Sequence, residues 1–238
     1  MKNYFFYPYQ NDLIHQEDLI PDKTKVILKK KKKFVYKTIV FQDNNSNLNR
    51  ILKKEILSFL IKKNINKKSH ILVIGMGNDF YTPDAIGPYT LKYIKVNSYL
   101  ENLGITLNEV KVSTLKPGVL GETGILSEKV ITSVCNEIKP DFIIIIDSFV
   151  TSNINYLNHT IELNNYGISP GHGIKGINSF ISEETLHIPL LVIGVTTAIL
   201  VKFNNNPYIL SCKDIDEYAL KISKTIGNSI NMAIDSLN

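Results

Sequence analysis

The sequence predicts an α/β fold, a three-layer sandwich with a mostly parallel, twisted sheet and helices on both faces. Three observations carry that expectation. Short continuous apolar runs at 71–74, 142–146 and 190–193 read as strands buried on both faces. Amphipathic helical stretches lie between and after them, at 48–60, 127–138 and 213–237. Strand-helix alternation of this kind builds a sheet with parallel strands and crossover helices.

In order along the chain, residues 1–24 have no clear period and read as an arm. Residues 34–41 are β-branched and aromatic, hence a strand. Asp43-Asn-Asn-Ser-Asn47 is a turn and helix start. Leu48, Ile51, Leu52, Ile56, Phe59 and Leu60 then recur at helical spacing, with lysines opposite. After the strand at 71–74, residues 88–103 read as helical and 109–113 as a strand. Residues 116–124 form a Gly-rich loop, 159–163 an alternating strand and 166–173 a second Gly-containing loop. Residues 195–211 only join the strand ending at Gly194 to the C-terminal helix. The expected organisation is an N-terminal arm or propeptide over 1–33 and one α/β domain over 34–238.

The 238 residues carry a net charge of +5, and hydrophobic residues make up 44%. No apolar stretch approaches the roughly 18 residues of a membrane span, and the N-terminus lacks a signal-peptide pattern. A cytoplasmic protein with no membrane partner is expected. Cys135 and Cys212 are too few for a disulfide framework and read as reduced thiols. Lysines cluster at 29–33 and again between 53 and 68, but no aromatic interleaving or groove-reading motif accompanies them. They read as a solvated face, and no nucleic-acid partner is expected.

Chemistry concentrates at two strand ends. Ile74-Gly-Met-Gly-Asn78 passes from strand to turn, and Asp84 follows just before a helix that starts near Pro88. Asp147 ends the run 142–146. The C-terminal ends of strands are where ligands bind in open α/β sheets. If the two strands are neighbours, Asp84 and Asp147 share a crevice. Two carboxylates there separate in pKa, one serving as acid and one as base. Phe80 stands where a dinucleotide fingerprint needs its third glycine, which disfavours such a cofactor. Gly118, Gly121, Gly171 and His172 lie on loops whose backbone can approach a peptide or donate to an oxyanion. No HExxH and no CxxC occurs, so no cofactor is expected. Metal assistance is left open: the carboxylates with His172 offer no complete ligand set.

Several segments together resemble the germination protease family, endopeptidases that degrade small acid-soluble spore proteins. They are Gly75-Met-Gly-Asn78, Thr82-Pro-Asp-Ala-Ile-Gly-Pro88, Lys116-Pro-Gly-Val-Leu-Gly-Glu-Thr-Gly-Ile125 and Lys139-Pro-Asp-Phe-Ile-Ile-Ile-Ile-Asp147. Asn158-His-Thr-Ile-Glu-Leu163, Gly167-Ile-Ser-Pro-Gly171, Ile188-Pro-Leu-Leu-Val-Ile-Gly-Val195 and Lys213-Asp-Ile-Asp-Glu-Tyr218 continue the resemblance in order. It implies a fold like that of the hydrogenase maturation proteases. It also implies a zymogen, a homotetramer, a spore-core location and a catalytic aspartate pair falling on Asp84 and Asp147. Asn78 would orient one of them.

The chain departs from the pattern in three places. Residues 11–17 match the family's processed segment only loosely. The connection at 195–211 is short, and His172-Gly-Ile-Lys-Gly-Ile-Asn178 replaces the usual continuation after Gly171. Two other readings accompany the first: a catalytically silent paralogue that binds a partner, and a maturation-type protease that clips one.

Overall fold

The computed structural model describes residues 14–20, 24–31, 33–42, 46–170 and 179–238. Strands β1 (Ile14–Ile20), β2 (Thr24–Lys31) and β3 (Phe34–Val40) come first, then α1 (Leu48–Lys62) and β4 (His70–Gly75). A 3-10 turn, Thr82–Asp84, leads into α2 (Ile86–Leu91), followed by the single-turn α3 (Tyr99–Asn102) and β5 (Lys111–Leu115). Next come α4 (Leu120–Thr123), α5 (Ser127–Ile138), β6 (Phe142–Thr151) and β7 (Thr160–Asn164). The chain closes with α6 (Glu183–Leu186), β8 (Leu190–Phe203), β9 (Asn206–Ser211) and α7 (Ile215–Asp235).

The strands form one open sheet in the order β1-β2-β3-β7-β8-β6-β4-β5, with β9 also on β8. The α/β class holds, and the sheet is mixed. The four strands β5, β4, β6 and β8 run parallel. The others pair antiparallel. The parallel part is the apolar part: β4 is buried along its whole length, as are Phe142 to Ile146 of β6. Parallel strands need cover on both faces, and their sequences carry the apolar residues to match.

That cover comes from two layers. On one face, α1, α2 and α7 bring Leu52, Ile56, Ile86, Ile222, Ile226 and Ile230 against Val73, Ile144, Ile146 and Ile193. On the other, Ile131 and Cys135 of α5 lie against Leu72, Ile74, Ile143, Ile145 and Val192. Each fully buried Ile or Leu contributes about 1.5–3 kcal/mol, so these two layers fix which strand ends meet.

Several elements differ from the expectation. Ile14–Ile20, within the stretch expected to be an arm, and Thr24–Lys31, which runs into the lysine cluster, pair as a ribbon onto β3. The helix expected over 88–103 is instead two short pieces, α2 and α3. The connection at 195–211 is strand: β8 continues to Phe203, turns through Asn204 and Asn205 with φ of 49° and 63°, and returns as β9. Both turn residues occupy the left-handed region that Asn tolerates, which is the geometry of a tight hairpin.

Candidate active site

The site is set by the register of β4 and β6. Gly75 pairs with Ile146, so β4 ends one residue before Asp147 emerges on its neighbour. The Met76 N–H still donates to the Ile146 carbonyl at 2.8 Å. The chain must then turn back immediately. Gly77 does so at φ +108°, and a Cβ there would lie 1.9 Å from the Asp84 carbonyl oxygen. Only glycine meets both conditions. Gly87 serves a second close approach, because a Cβ on it would meet the Met76 oxygen at 2.1 Å and the Ile146 oxygen at 2.7 Å. With it, α2 seats directly on the ends of β4 and β6.

The 3-10 turn that carries Asp84 is tied down on several sides. The Asn78 N–H donates to the Asp84 carbonyl at 3.1 Å and to its carboxylate Oδ2 at 3.0 Å. The Asp84 N–H donates to the Tyr81 carbonyl at 2.8 Å. From β8, the Thr197 hydroxyl donates to the Pro83 carbonyl at 2.6 Å. Asp147 accepts the Ser148 N–H at 2.8 Å.

Both carboxylates are half-buried, and no Lys, Arg or His among the described residues forms an ion pair with either. Burial pushes Asp84 up to about 6, against the opposing pull of the Asn78 N–H. Asp147 is pushed up to about 8, first by burial and then by the negative charge of Asp84, against the Ser148 N–H. The asymmetry follows from the order of ionisation. Asp84 loses its proton while Asp147 is still neutral, and Asp147 then ionises beside a negative neighbour. The two titrate as one unit, holding a single proton between the lower and upper values. Such a pair supplies a base and an acid at the same pH.

The other sequence-predicted residues fall as follows. Asn78 reaches Asp84 through its main-chain N–H, while its side-chain Oδ1 accepts the Phe80 N–H at 2.9 Å. Gly118 accepts the Ser127 hydroxyl on its carbonyl at 2.8 Å, which fixes the loop against the start of α5. Gly121 sits in α4, with open space where a side chain would be. Gly171 and His172 lie outside the described residues. Lys116, from the same loop as Gly118, bonds both oxygens of Asp79 at 3.0 and 3.1 Å and so ties that loop to the Asp84 segment.

Three features escaped the sequence reading. Thr197, the Lys116–Asp79 link and Glu162 all depend on which strands become neighbours. Glu162 lies on β7 opposite Gly194, which in turn lies opposite Asp147. Burial pushes its carboxyl up to about 7. The alternation at 159–163 hid it, because an alternating strand places its polar residues in water and β7 is buried on both faces. Among the described residues, no group of three or more His, Cys, Asp or Glu side chains is gathered to hold a metal ion, and no helix is long and apolar enough to cross a membrane.

Known proteins resemble this chain in sequence. The germination protease family model matches residues 22–205. A germination protease of Oceanobacillus iheyensis is 37% identical over 160 residues, covering 66% of this chain and 44% of the relative. One from a Geobacillus species is 39% identical over 152 residues (63% and 41%), and one from Bacillus cytotoxicus is 37% identical over 153 (63% and 42%). The chain spans less than half the length of these curated relatives. The matched region contains Gly77, Asp84, Asp147 and Thr197, the residues that build and carry the carboxylate pair. The chain belongs to the germination protease family.

Proposed function

We propose that this chain is an aspartate-dependent endopeptidase that cleaves small acid-soluble spore proteins during germination, with Asp84 and Asp147 as its catalytic pair. The observation that carries the reading is the pair itself: two half-buried carboxyls, coupled to each other, with pKa values near 6 and 8 and no cation paired with them among the described residues. Near neutral pH, Asp84 is the carboxylate and Asp147 the acid. Asp84 takes a proton from water as its oxygen bonds to the scissile carbonyl carbon. Asp147 gives its proton to the departing amide nitrogen as the C–N bond breaks. The Asn78 N–H holds Asp84 in place. Activity would be greatest between about pH 6 and about 8, where the pair keeps one proton.

The wider reading follows the family. Residues 1–33 act as an arm or propeptide of a domain spanning 34–238, related in fold to the hydrogenase maturation proteases. The protein works in the spore core as a homo-oligomer, a tetramer in the family's manner. The loops bearing Gly118, Gly121, Gly171 and His172 shape the peptide cleft.

The test incubates the purified protein with a small acid-soluble spore protein, beside Asp84→Asn and Asp147→Asn, and follows products by mass spectrometry. Discrete fragments from the unaltered chain alone are expected. Intact substrate in all three would overturn the reading in favour of a silent paralogue.

A further inference from the structure

The β4–β6 ladder stops before β6 does. Its last pair is Gly75 with Ile146, while β6 runs on to Thr151. On its other side β6 stays paired with β8 as far as Thr151, opposite Ile199. Among the described residues no strand continues the line of β4. Burial follows the ladder: Phe142 to Ile146 are buried and Asp147 to Val150 half-buried, although β6 lies inside the sheet. The sheet therefore carries a notch one strand wide. Asp147 stands at its head, and the turn that carries Asp84 packs against β6 beside it.

The main-chain groups along the notch have a definite direction. The Ile146 carbonyl accepts the Met76 N–H, so the polar groups of Ile146 point toward β4. Such groups alternate from side to side along a strand, which puts those of Ser148 and Val150 on the open side. The bulge nearby leaves this alternation intact. Phe149 faces Thr196 and Val150 faces Ala198, so the extra residue, Thr197, belongs to β8. The Ser148 N–H agrees, since it donates to the Asp147 side chain at 2.8 Å instead of to a strand. The Ser148 carbonyl and both polar groups of Val150 have no strand opposite them among the described residues. A free edge of this kind accepts an extended peptide through main-chain hydrogen bonds. We infer that the substrate binds in the notch as an added strand, in the place β4 vacates, with its main chain on Ser148 and Val150 and its scissile bond at the carboxylates. This rests on the protease reading of Asp84 and Asp147. Position fixes the occupant: a peptide cut by those carboxylates passes the head of the notch, and an extended chain running on along β6 meets donors and acceptors spaced for it. Contacts of this kind read main chain, so β6 aligns the peptide without selecting its side chains.

The experiment uses the full chain and a synthetic peptide spanning a bond that it cuts in a small acid-soluble spore protein. Single amides of the peptide are N-methylated in turn, leaving the scissile bond alone, and kcat/KM is measured for each. On one side of the cut, every second N-methyl group should lower kcat/KM about ten-fold, and those between should matter little. The edge itself is probed with Val150→Pro, which removes one outward N–H where proline is tolerated, against Val150→Ala, which keeps it. Val150→Pro should fall about three- to ten-fold below Val150→Ala in kcat/KM, with thermal midpoints showing that both are folded. If Val150→Pro does not fold, the N-methyl series on the unaltered chain decides. A series without alternation, or equal kcat/KM in folded Val150→Pro and Val150→Ala, overturns the inference and leaves the protease reading standing. No cleavage by the unaltered chain, or undiminished cleavage by Asp147→Asn, overturns the protease reading and the inference with it.

Discussion

Glu55 and the Asp84–Asp147 pair are both enclosed by the fold, and they solve the problem of a buried carboxylate differently. Glu55 of α1 is 8% exposed and meets the ammonium of Lys37 from β3, itself 9% exposed. The same ammonium donates to the Ser58 hydroxyl at 3.3 Å and lies 5.3 Å from the centre of the Phe59 ring. Asp84 and Asp147 have no such cation among the described residues, and the charge of Asp84 acts on Asp147 instead. A charge taken out of water must be paired or given up. At Glu55 it is paired, and the result is a fixed strut between helix and sheet. At the aspartates it is given up in part, and the result is a proton that can move.

The comparison can be broken first by chemistry. Asp147→Asn and Asp84→Asn should each lower peptide cleavage by about a thousand-fold or more, the scale expected when one member of an acid-base pair is lost, as read by initial rates on a spore protein substrate. Glu55→Gln should leave the rate of the folded protein unchanged. A shared loss would show that Glu55 also belongs to the catalytic unit.

Stability should respond the other way round. Lys37→Ala strands a buried carboxylate and is expected to destabilise the fold by about 3–5 kcal/mol in urea unfolding, while Lys37→Met with Glu55→Leu recovers most of that. Asp147→Asn should instead raise stability near neutral pH, because it removes a carboxyl that the unfolded chain ionises far more readily than the folded one.

A subtler test uses pH. The folded-state pKa of Asp147, about 8, lies above the ordinary value of 3.8. Its contribution to stability is therefore fully present below about pH 4. It declines as pH rises through that interval, because the unfolded chain sheds the proton first, and levels off above about pH 8. Asp147→Asn should flatten the fall of the thermal midpoint between about pH 4 and 8, and a slope equal to that of the unaltered chain would contradict the assignment. The smallest effect belongs to the exposed Lys116–Asp79 pair. Lys116→Ala should change unfolding free energy by less than about 1 kcal/mol.

Much of the sheet and both large helices were legible because their residues are all-apolar runs or clean helical stripes. The runs at 71–74 and 142–146, Leu52 and Ile56 of α1, and Ile226 and Ile230 of α7 all fall in the observed core. The edges were not legible. β2 reads TKVILKKK, and its lysines mask the alternation that pairs it with β3. The β8–β9 hairpin left a usable trace in Asn204-Asn205, a pair suited to positive φ.

At the site, Asp84 and Asp147 could be named from their places at strand ends, but not the direction of their proton sharing. That depends on the β4–β6 register and on the depth of each carboxyl. Asn78 could be named as a support, but not that its main chain does the supporting. Glu162 was hidden because strand periodicity says which residues share a face and not whether that face is wet.

The strand order has one more consequence, for the time course of folding. Val35 donates its N–H to the Asn165 side chain at 2.7 Å across 130 positions of sequence. β3 reaches β6 and β4 only through β7 and β8. On the ribosome, then, the first three strands emerge long before the strand that will anchor them, and at about 5–20 residues per second they wait many seconds with an open edge. High contact order of this kind slows folding and exposes the waiting strands to wrong partners.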